Sequence, residues 1–113
     1  DPEAHDQALA ATSHLPHLVA SALAAATPPE LLSLSAGGWR DTTRVAAGDP
    51  ELWQAILREN RLAVLAALDR LERLLGQFAR ALGADQADEL RRLLADGQRV
   101  RQRLQNQSAP HAD

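Results

Sequence analysis

Apolar residues recur every three or four positions along most of this chain, a spacing that predicts helices. The first predicted helix begins with DPE at positions 1–3, where a capping side chain precedes a proline and an acid. It ends near Ala26, before the TPP at 27–29. Pro16 lies inside this helix and removes one backbone donor, so we expect a kink between residues 12 and 16.

The longest predicted helix covers about residues 50–82, opened by a second DPE at 49–51 and closed by Gly83. Most of its apolar residues form one broad arc, but Leu62 and Leu65 fall on the opposite side, so residues 62–68 are apolar almost all round. A helix of that kind is buried on every side, which a second copy of the chain would achieve. The pattern therefore predicts an all-α helical bundle with one long central helix, a kinked first helix and an intertwined dimer.

Shorter elements are predicted around these two helices. Residues 31–35 are expected to form a short helix that is broken by Gly37-Gly38, and residues 40–44 a further helical turn. Asp85 is expected to cap a last helix, whose arginines lie beside acids and are therefore typical of a solvated face. We expect the helical domain to span residues 1–106 and residues 107–113 to form a disordered tail.

Composition narrows the class of protein. The 113 residues suffice for one domain, and 45% hydrophobic but only 3% aromatic residues predict a core of leucine and alanine. The net charge of −3 argues against a nucleic-acid partner, and the absence of cysteine excludes disulfides and thiolate metal sites. Without a run of about 18 apolar residues or a signal-peptide pattern, we expect a cytoplasmic protein with no membrane partner. Methionine is absent even at the start, so we interpret the chain as a fragment of a longer protein.

Polar residues form a line along the first predicted helix. Asp6, Ser13 and His17 stay within about 40° of one another around the helix axis, and His14 lies about a quarter-turn away. One interpretation is a half-buried histidine pair whose ring nitrogens bond to helix carbonyls. Zinc ligation by His14, His17 and Asp6 is the weaker alternative, because two histidines without a fixed third ligand are poor evidence. We therefore expect no metal.

The stretch AGGWRDTTRVAAGDPELW, residues 36–53, carries more charge and more hydroxyl groups than a simple connector needs. Arg40 and Arg44 each present a planar guanidinium suited to a carboxylate, and Asp41 is placed to hold one of them. The alternative is an exposed ion pair that contributes roughly 0–1 kcal/mol. Trp53, one turn into the long helix, is on composition alone a core anchor.

Two motifs together resemble a known family: HDQALAATSHLPH at residues 5–17 and GGWRDTTRVAAGDPELWQAILREN at residues 37–60. They are similar to the C-terminal helical domain of prephenate/arogenate dehydrogenases, which make the tyrosine precursor, and the resemblance covers about residues 1–82. It implies oxidative decarboxylation of prephenate or arogenate to 4-hydroxyphenylpyruvate or tyrosine. It also implies a homodimer through the helical domain, with the active site in the cleft beside a preceding Rossmann domain that binds NAD or NADP.

The resemblance also implies roles for single residues. Arg44 would bind a substrate carboxylate, His17 would line the substrate pocket, and Trp53 would reach into the neighbouring subunit's site. Asp6 and Asp41 match acids in an ionic network with that arginine, which gates entry. Four further positions match the substrate-pocket motifs: Ser13, His14, Gly37 and Gly38.

Some features of the family are expected outside this chain. Its catalytic histidine and its glycine-rich loop belong to the preceding domain, and no GxGxxG occurs here, so the fragment alone is expected to be inactive. Trp39 stands where other members carry phenylalanine. The alternative hypothesis is a free-standing, non-catalytic helical module for oligomerisation or regulation.

Overall fold

Helices make up almost the whole of residues 1–108, which are the residues that the computed structural model describes. No strand occurs among them, so the predicted all-α fold is confirmed. The elements in chain order are α1 (Pro2–Leu9), a π-helical segment (Ala10–His14), α2 (Leu15–Ala26), a 3₁₀ helix (Pro29–Leu34), α3 (Gly37–Thr43), a second 3₁₀ helix (Arg44–Ala47), α4 (Pro50–Glu59), α5 (Arg61–Gly83) and α6 (Ala87–Ser108).

The irregularity predicted in the first helix takes the form of the π-helical segment. The N–H of Leu15 donates to the carbonyl of Ala10, five residues back, instead of four. Pro16 follows directly and has no N–H to continue the regular pattern. The start of α1 also follows the prediction, because the Asp1 carboxylate accepts from the N–H of Glu3 at 2.9 Å.

The predicted continuous helix over residues 50–82 is wrong, because it is two helices. α4 ends at Glu59, and Asn60 leaves helical geometry with φ −112° and ψ 34° before α5 begins. The Asn60 side chain donates to the backbone carbonyl of Asp6 at 2.8 Å, a bond to an element 54 residues earlier. The apolar spacing continues through this break, so periodicity alone gives no sign of it.

Two compact units divide the chain, one covering Asp1–Arg70 and the other beginning at Leu71. In the first unit, Ala10 of the π-helical segment packs against Val64 and Ala67 of α5, and all three are at most 5% exposed. Four partly buried residues complete this core: Leu15, Leu18, Leu57 and Ala63. Small residues at its centre let the helices approach closely.

In the second unit, Ala81 and Leu93 are buried, at 2% and 4% exposure. The arginines of α6 form ion pairs one turn apart, such as Arg92 with Glu89 and with Asp96. The hydrogen bonds and charge of Arg92 lower the pKa of Glu89, and Glu89 raises the pKa of Arg92. The prediction of a solvated charged face on this helix is therefore confirmed.

The connection between α5 and α6 differs from the prediction. Asp85 has a positive φ of 51°, and the next N–H, of Gln86, donates to the carbonyl of Ala81 at 2.8 Å. This is the hydrogen bond of a Schellman motif, so Asp85 ends α5 rather than capping α6. Asp is one of the few residues with a side chain that enter this left-handed region readily.

The end of α6 lies beyond the predicted domain boundary at residue 106, since the helix continues to Ser108. The rest of the predicted tail, residues 109–113, lies outside the described residues.

One stretch, Pro2–Ala26, is long and apolar enough to cross a membrane on length and composition alone, and 17% of its most apolar window is buried. The same stretch carries the buried residues Ala10, His17 and Ala20. One such helix is weak evidence for a membrane span, because core helices and signal sequences can have the same length and composition.

Candidate functional site

A histidine and a tryptophan from the two sequence motifs stack on each other. His17, on α2, is 6% exposed, and its ring lies parallel to that of Trp53 on α4, with centroids 3.7 Å apart and planes 10° apart. The start of α4 fixes Trp53, because the Asp49 carboxylate accepts from the N–H of Glu51 at 3.0 Å. The stacked pair therefore depends on a predicted helix cap and on the packing of two helices.

Gly48 brings the backbone against the edge of this stack. A Cβ at this position would lie 3.1 Å from Nε1 of Trp53 and 3.2 Å from Cε1 of His17. Both distances are shorter than ordinary van der Waals contact, so a larger residue here would require the two rings to shift by a few tenths of an ångström. Sequence reasoning missed Gly48, whose φ of −64° is ordinary; its one local signal is its place directly before the DPE cap.

A small cavity of about 280 Å³ lies beside the stack, lined among others by His17, Ser21, Gly48, Trp53 and Gln54. The Nδ1 atom of His17 is buried and has no hydrogen-bond partner within residues 1–108. A buried polar atom in that condition is costly, so its lack of a partner requires an explanation, such as a catalytic role or a bound water or ion. The interpretation that a helix carbonyl satisfies this nitrogen is therefore not supported.

His14 joins the same cluster from the π-helical segment. Its ring meets Trp53 edge to face, with centroids 6.4 Å apart and planes at 77°. Its Nδ1 lies 3.2 Å from the side-chain nitrogen of Asn60, which also donates to the carbonyl of Asp6. The structure thus brings together three predicted residues, His14, His17 and Trp53, and adds Asn60, to which sequence reasoning gave no role.

The charged residues of the predicted site are arranged differently. Asp6, Asp41 and Arg44 are all exposed, and within residues 1–108 no ion pair joins any two of them. Asp6 reaches the cluster through its backbone carbonyl, which Asn60 contacts. Their ionic network therefore remains a prediction, and Arg44, which is exposed, stands at the start of the second 3₁₀ helix.

The glycine pair does not form the tight turn that breaks a helix. The preceding 3₁₀ helix has already ended at Leu34, and Gly37 and Gly38 are the first two residues of α3. Neither has a positive φ, and a Cβ at either position would meet nothing within 4 Å. The conformational reason expected for these glycines is therefore wrong.

Ser13, in the π-helical segment, is half-buried.

The threonine hydroxyl groups of residues 36–53 donate to backbone carbonyls of the short helix α3. Thr42 and Thr43 each donate to a carbonyl four residues earlier, on Gly38 and Trp39, at 2.8 Å. The indole N–H of Trp39 donates to the Thr27 hydroxyl at 3.0 Å, which ties α3 to the end of α2. Part of this stretch thus forms the helix α3, which agrees in part with the helical turn predicted over residues 40–44.

No group of three His, Cys, Asp or Glu side chains that could hold a metal ion converges anywhere in residues 1–108. His14 contacts Asn60, and His17 stacks on Trp53. The His14 ring also meets Trp53 edge to face, so both histidines contact this tryptophan.

Residues 1–96 match the family described as "Prephenate dehydrogenase, dimerization domain". The chain belongs to this family. The match confirms the resemblance seen in the two motifs and extends it from about residue 82 to residue 96.

Known members of the prephenate dehydrogenase family are similar over most of this chain. The cyclohexadienyl dehydrogenase of Zymomonas mobilis is 39% identical over 108 residues, which are 88% of this chain and 36% of that protein. Among solved structures, Synechocystis arogenate dehydrogenase has a TM-score of 0.84 at 34% identity, covering 92% of this chain and 40% of that one. The A. aeolicus prephenate dehydrogenase, in complex with hydroxyphenyl propionate and NAD+, has a TM-score of 0.78 at 33% identity, covering 92% and 38%. The chain spans about a third of the length of the curated relatives it matches.

Proposed function

We propose that this chain is the dimerisation and substrate-binding domain of a cytoplasmic, NAD- or NADP-dependent dehydrogenase that acts on prephenate or arogenate in tyrosine biosynthesis. The observation that carries the proposal is the convergence of His14, His17 and Trp53. These residues come from both family motifs, His17 and Trp53 line a cavity, and the buried Nδ1 of His17 has no partner within residues 1–108. Ring nitrogens that lack a partner inside the chain are suited to a polar ligand.

In the proposed reaction, the chain's own residues bind and orient the substrate. Arg44 offers two parallel N–H donors to a carboxylate, and its exposure leaves them accessible. His14 and His17 offer ring nitrogens to the substrate, and Trp53 covers one face of the His17 ring by stacking on it. The ring of the substrate loses its carboxylate as carbon dioxide and becomes aromatic.

The nicotinamide cofactor would supply the hydride acceptor for this oxidation. Dinucleotides are held by a glycine-rich turn between a strand and a helix, and residues 1–108 contain no strand. The residues described here therefore do not fit the cofactor, and we assign its binding mainly to a preceding domain.

A homodimer through this domain is part of the proposal. Leu62 and Leu65 are 71% and 51% exposed, whereas Val64 and Ala67 on the same helix are buried in the chain's own core. A second copy that covers the exposed side would complete the burial of α5. In this chain Trp53 stacks on its own His17, so a role in the neighbouring subunit's site would fall to the ring face that His17 leaves open.

The decisive experiment is a steady-state assay of the protein made from the complete reading frame that contains this chain. Prephenate and arogenate are each tested with NAD+ and with NADP+. We expect turnover in at least one of the four combinations. If none gives reduced cofactor while the protein is folded, the catalytic proposal fails and a non-catalytic helical module becomes the better hypothesis.

A second experiment tests the dimer by sedimentation equilibrium of the 12.2 kDa chain, for which we expect twice that mass. Leu62→Glu places a charge on the exposed side of α5 and should shift the chain towards monomer. Leu34→Glu is the matched control, because Leu34 is 77% exposed but lies outside α5. A wild-type chain that remains monomeric at high concentration contradicts the dimer.

A further inference from the structure

Asn60 has an orientation that its neighbours determine. One of its side-chain amide atoms lies 2.8 Å from the backbone carbonyl oxygen of Asp6, and a carbonyl oxygen only accepts hydrogen bonds. The amide atom that faces it must therefore be the nitrogen, because the flipped amide would place two oxygens against each other. That nitrogen carries two protons, and the bond to Asp6 uses one of them.

The second proton of this nitrogen determines the tautomer of His14. Nδ1 of His14 lies 3.2 Å from the same amide nitrogen. An amide nitrogen does not accept hydrogen bonds, so Nδ1 must be the acceptor and must carry a lone pair. In a neutral imidazole the proton is then on Nε2, which becomes a donor pointing away from Asn60.

Two further contacts hold this arrangement in place. Trp53 meets the His14 ring edge to face and restricts its rotation. Asn60 sits at the break between α4 and α5, where its backbone has left helical geometry, so its position is set by the junction of two helices. Within residues 1–108 no hydrogen bond engages Nε2 of His14, and this donor is available to a ligand.

We propose that Asn60 is a positioning residue that fixes His14 in the Nε2–H form. In this form His14 presents one N–H donor to an oxygen atom of the bound substrate. The part that concerns the substrate rests on the function proposed above. A donor at this position recognises a carboxylate, hydroxyl or carbonyl oxygen and does not recognise an ammonium group.

The tautomer is measured directly by nitrogen-15 NMR of the histidine rings in this chain. In the neutral ring we expect the proton of His14 on Nε2. Asn60→Asp replaces the donor with an acceptor, so the proton should move to Nδ1. Asn60→Ala removes the donor and should give a mixture of both tautomers.

Asn106→Asp is the matched control, because it makes the same chemical change at an exposed position of α6 and should leave His14 unchanged. A His14 ring that carries its proton on Nδ1 in the wild-type chain overturns the proposal. This measurement needs no variant, so it stands even if the Asn60 variants fold poorly.

The proposed contact between His14 and the substrate is tested in the complete enzyme. Asn60→Asp should lower kcat/KM by about 10-fold or more, mainly through KM, because the donor to the substrate is lost. Asn106→Asp should have no effect. If Asn60→Asp moves the proton but leaves kcat/KM unchanged, the substrate contact is refuted. If the wild-type enzyme turns over neither substrate, the proposed function fails, while the NMR result still decides whether Asn60 sets the tautomer.

Discussion

The candidate site has two parts whose side chains are held in different ways. The aromatic part, His14, His17 and Trp53, is fixed by ring contacts and by the close backbone of Gly48. The charged part, Asp6, Asp41 and Arg44, is exposed, and no ion pair within residues 1–108 joins its members. The aromatic side chains are held by contacts within the chain, whereas the charged side chains are not held by ion pairs to one another.

This difference follows from burial. Rings packed inside a protein keep one geometry because moving them opens voids or creates clashes. Exposed charges are screened by water, and a pair of them contributes roughly 0–1 kcal/mol, which is too little to hold long side chains in one place. Changes in the charged part should therefore alter substrate binding alone, whereas changes around the aromatic part should also alter stability.

The largest effect is expected from Arg44→Ala in the complete enzyme. Loss of a charge-assisted bidentate bond to a carboxylate should cost about 2–4 kcal/mol in kcat/KM, mainly through a higher KM. The thermal midpoint and the dimer should be unaffected, because Arg44 is exposed. Arg101→Ala, an exposed arginine of α6, is the control and should keep full activity. Unchanged kinetics in Arg44→Ala would refute the role of this arginine.

Gly48→Ala should show the opposite profile, with lost stability as its first effect. The added methyl group lies too close to both rings of the stack, and overpacking of this kind costs about 1–3 kcal/mol. In a domain of this size each kcal/mol lowers the thermal midpoint by roughly 4–8 °C. Calorimetry at fixed protein concentration measures this change in the thermal midpoint.

The matched control for Gly48→Ala is Gly97→Ala in α6, where a Cβ meets nothing within 4 Å. That change should stabilise the chain by about 0.5–1 kcal/mol, because alanine is the better helix former. A Gly48→Ala chain as stable as wild type would show that the stack yields easily and is not rigid.

Trp39→Phe should have a smaller effect, and it introduces the residue that the family resemblance implies at this position. It removes the N–H that donates to Thr27, whereas the Thr27 hydroxyl keeps its own bond to Leu23. We expect a loss of about 0.5–1.5 kcal/mol in the free energy of unfolding, and no change in kcat/KM. A denaturant titration, followed through the fluorescence of the remaining Trp53, measures the free energy of unfolding. A gain in stability would show that the bond to Thr27 contributes nothing.

Gly38→Ala should have the smallest effect on folding, a gain of up to about 1 kcal/mol, because neither conformation nor crowding requires a glycine there. If substrate approaches the backbone at this position, as the motif implies, kcat/KM should fall while the thermal midpoint rises. Measured together, the two quantities separate a role in binding from a role in folding. A fall in both would show that the glycine is needed for structure.

Local chemistry in the sequence predicted the helix boundaries well where a side chain bonds to a nearby backbone group. Asp1 and Asp49 each cap the helix that follows, as their DPE sequences predict. Pro16 predicted an irregular first helix, because a missing donor acts within one turn. These features depend on residues two to five positions apart, so the sequence alone is enough to locate them.

Sequence reasoning failed where the cause is distant in the chain. Asn60, at the break between α4 and α5, bonds to Asp6, and the crowding at position 48 comes from rings on α2 and α4. Residue propensity predicts a turn at Gly37 and Gly38, but α3 includes both, since glycine permits unusual backbone geometry without requiring it.

The sequence by itself determined the all-α class, the helix caps, the family motifs and the identity of the residues that carry the proposed chemistry. Only the tertiary structure decided which of these residues meet. It placed His14, His17 and Trp53 together, left Asp41 and Arg44 exposed, and added Asn60 and Gly48 to the site. The physical reason is range, because caps and periodicity act within a few residues, whereas stacking, crowding and tautomer choice require groups that the chain brings together only when it folds.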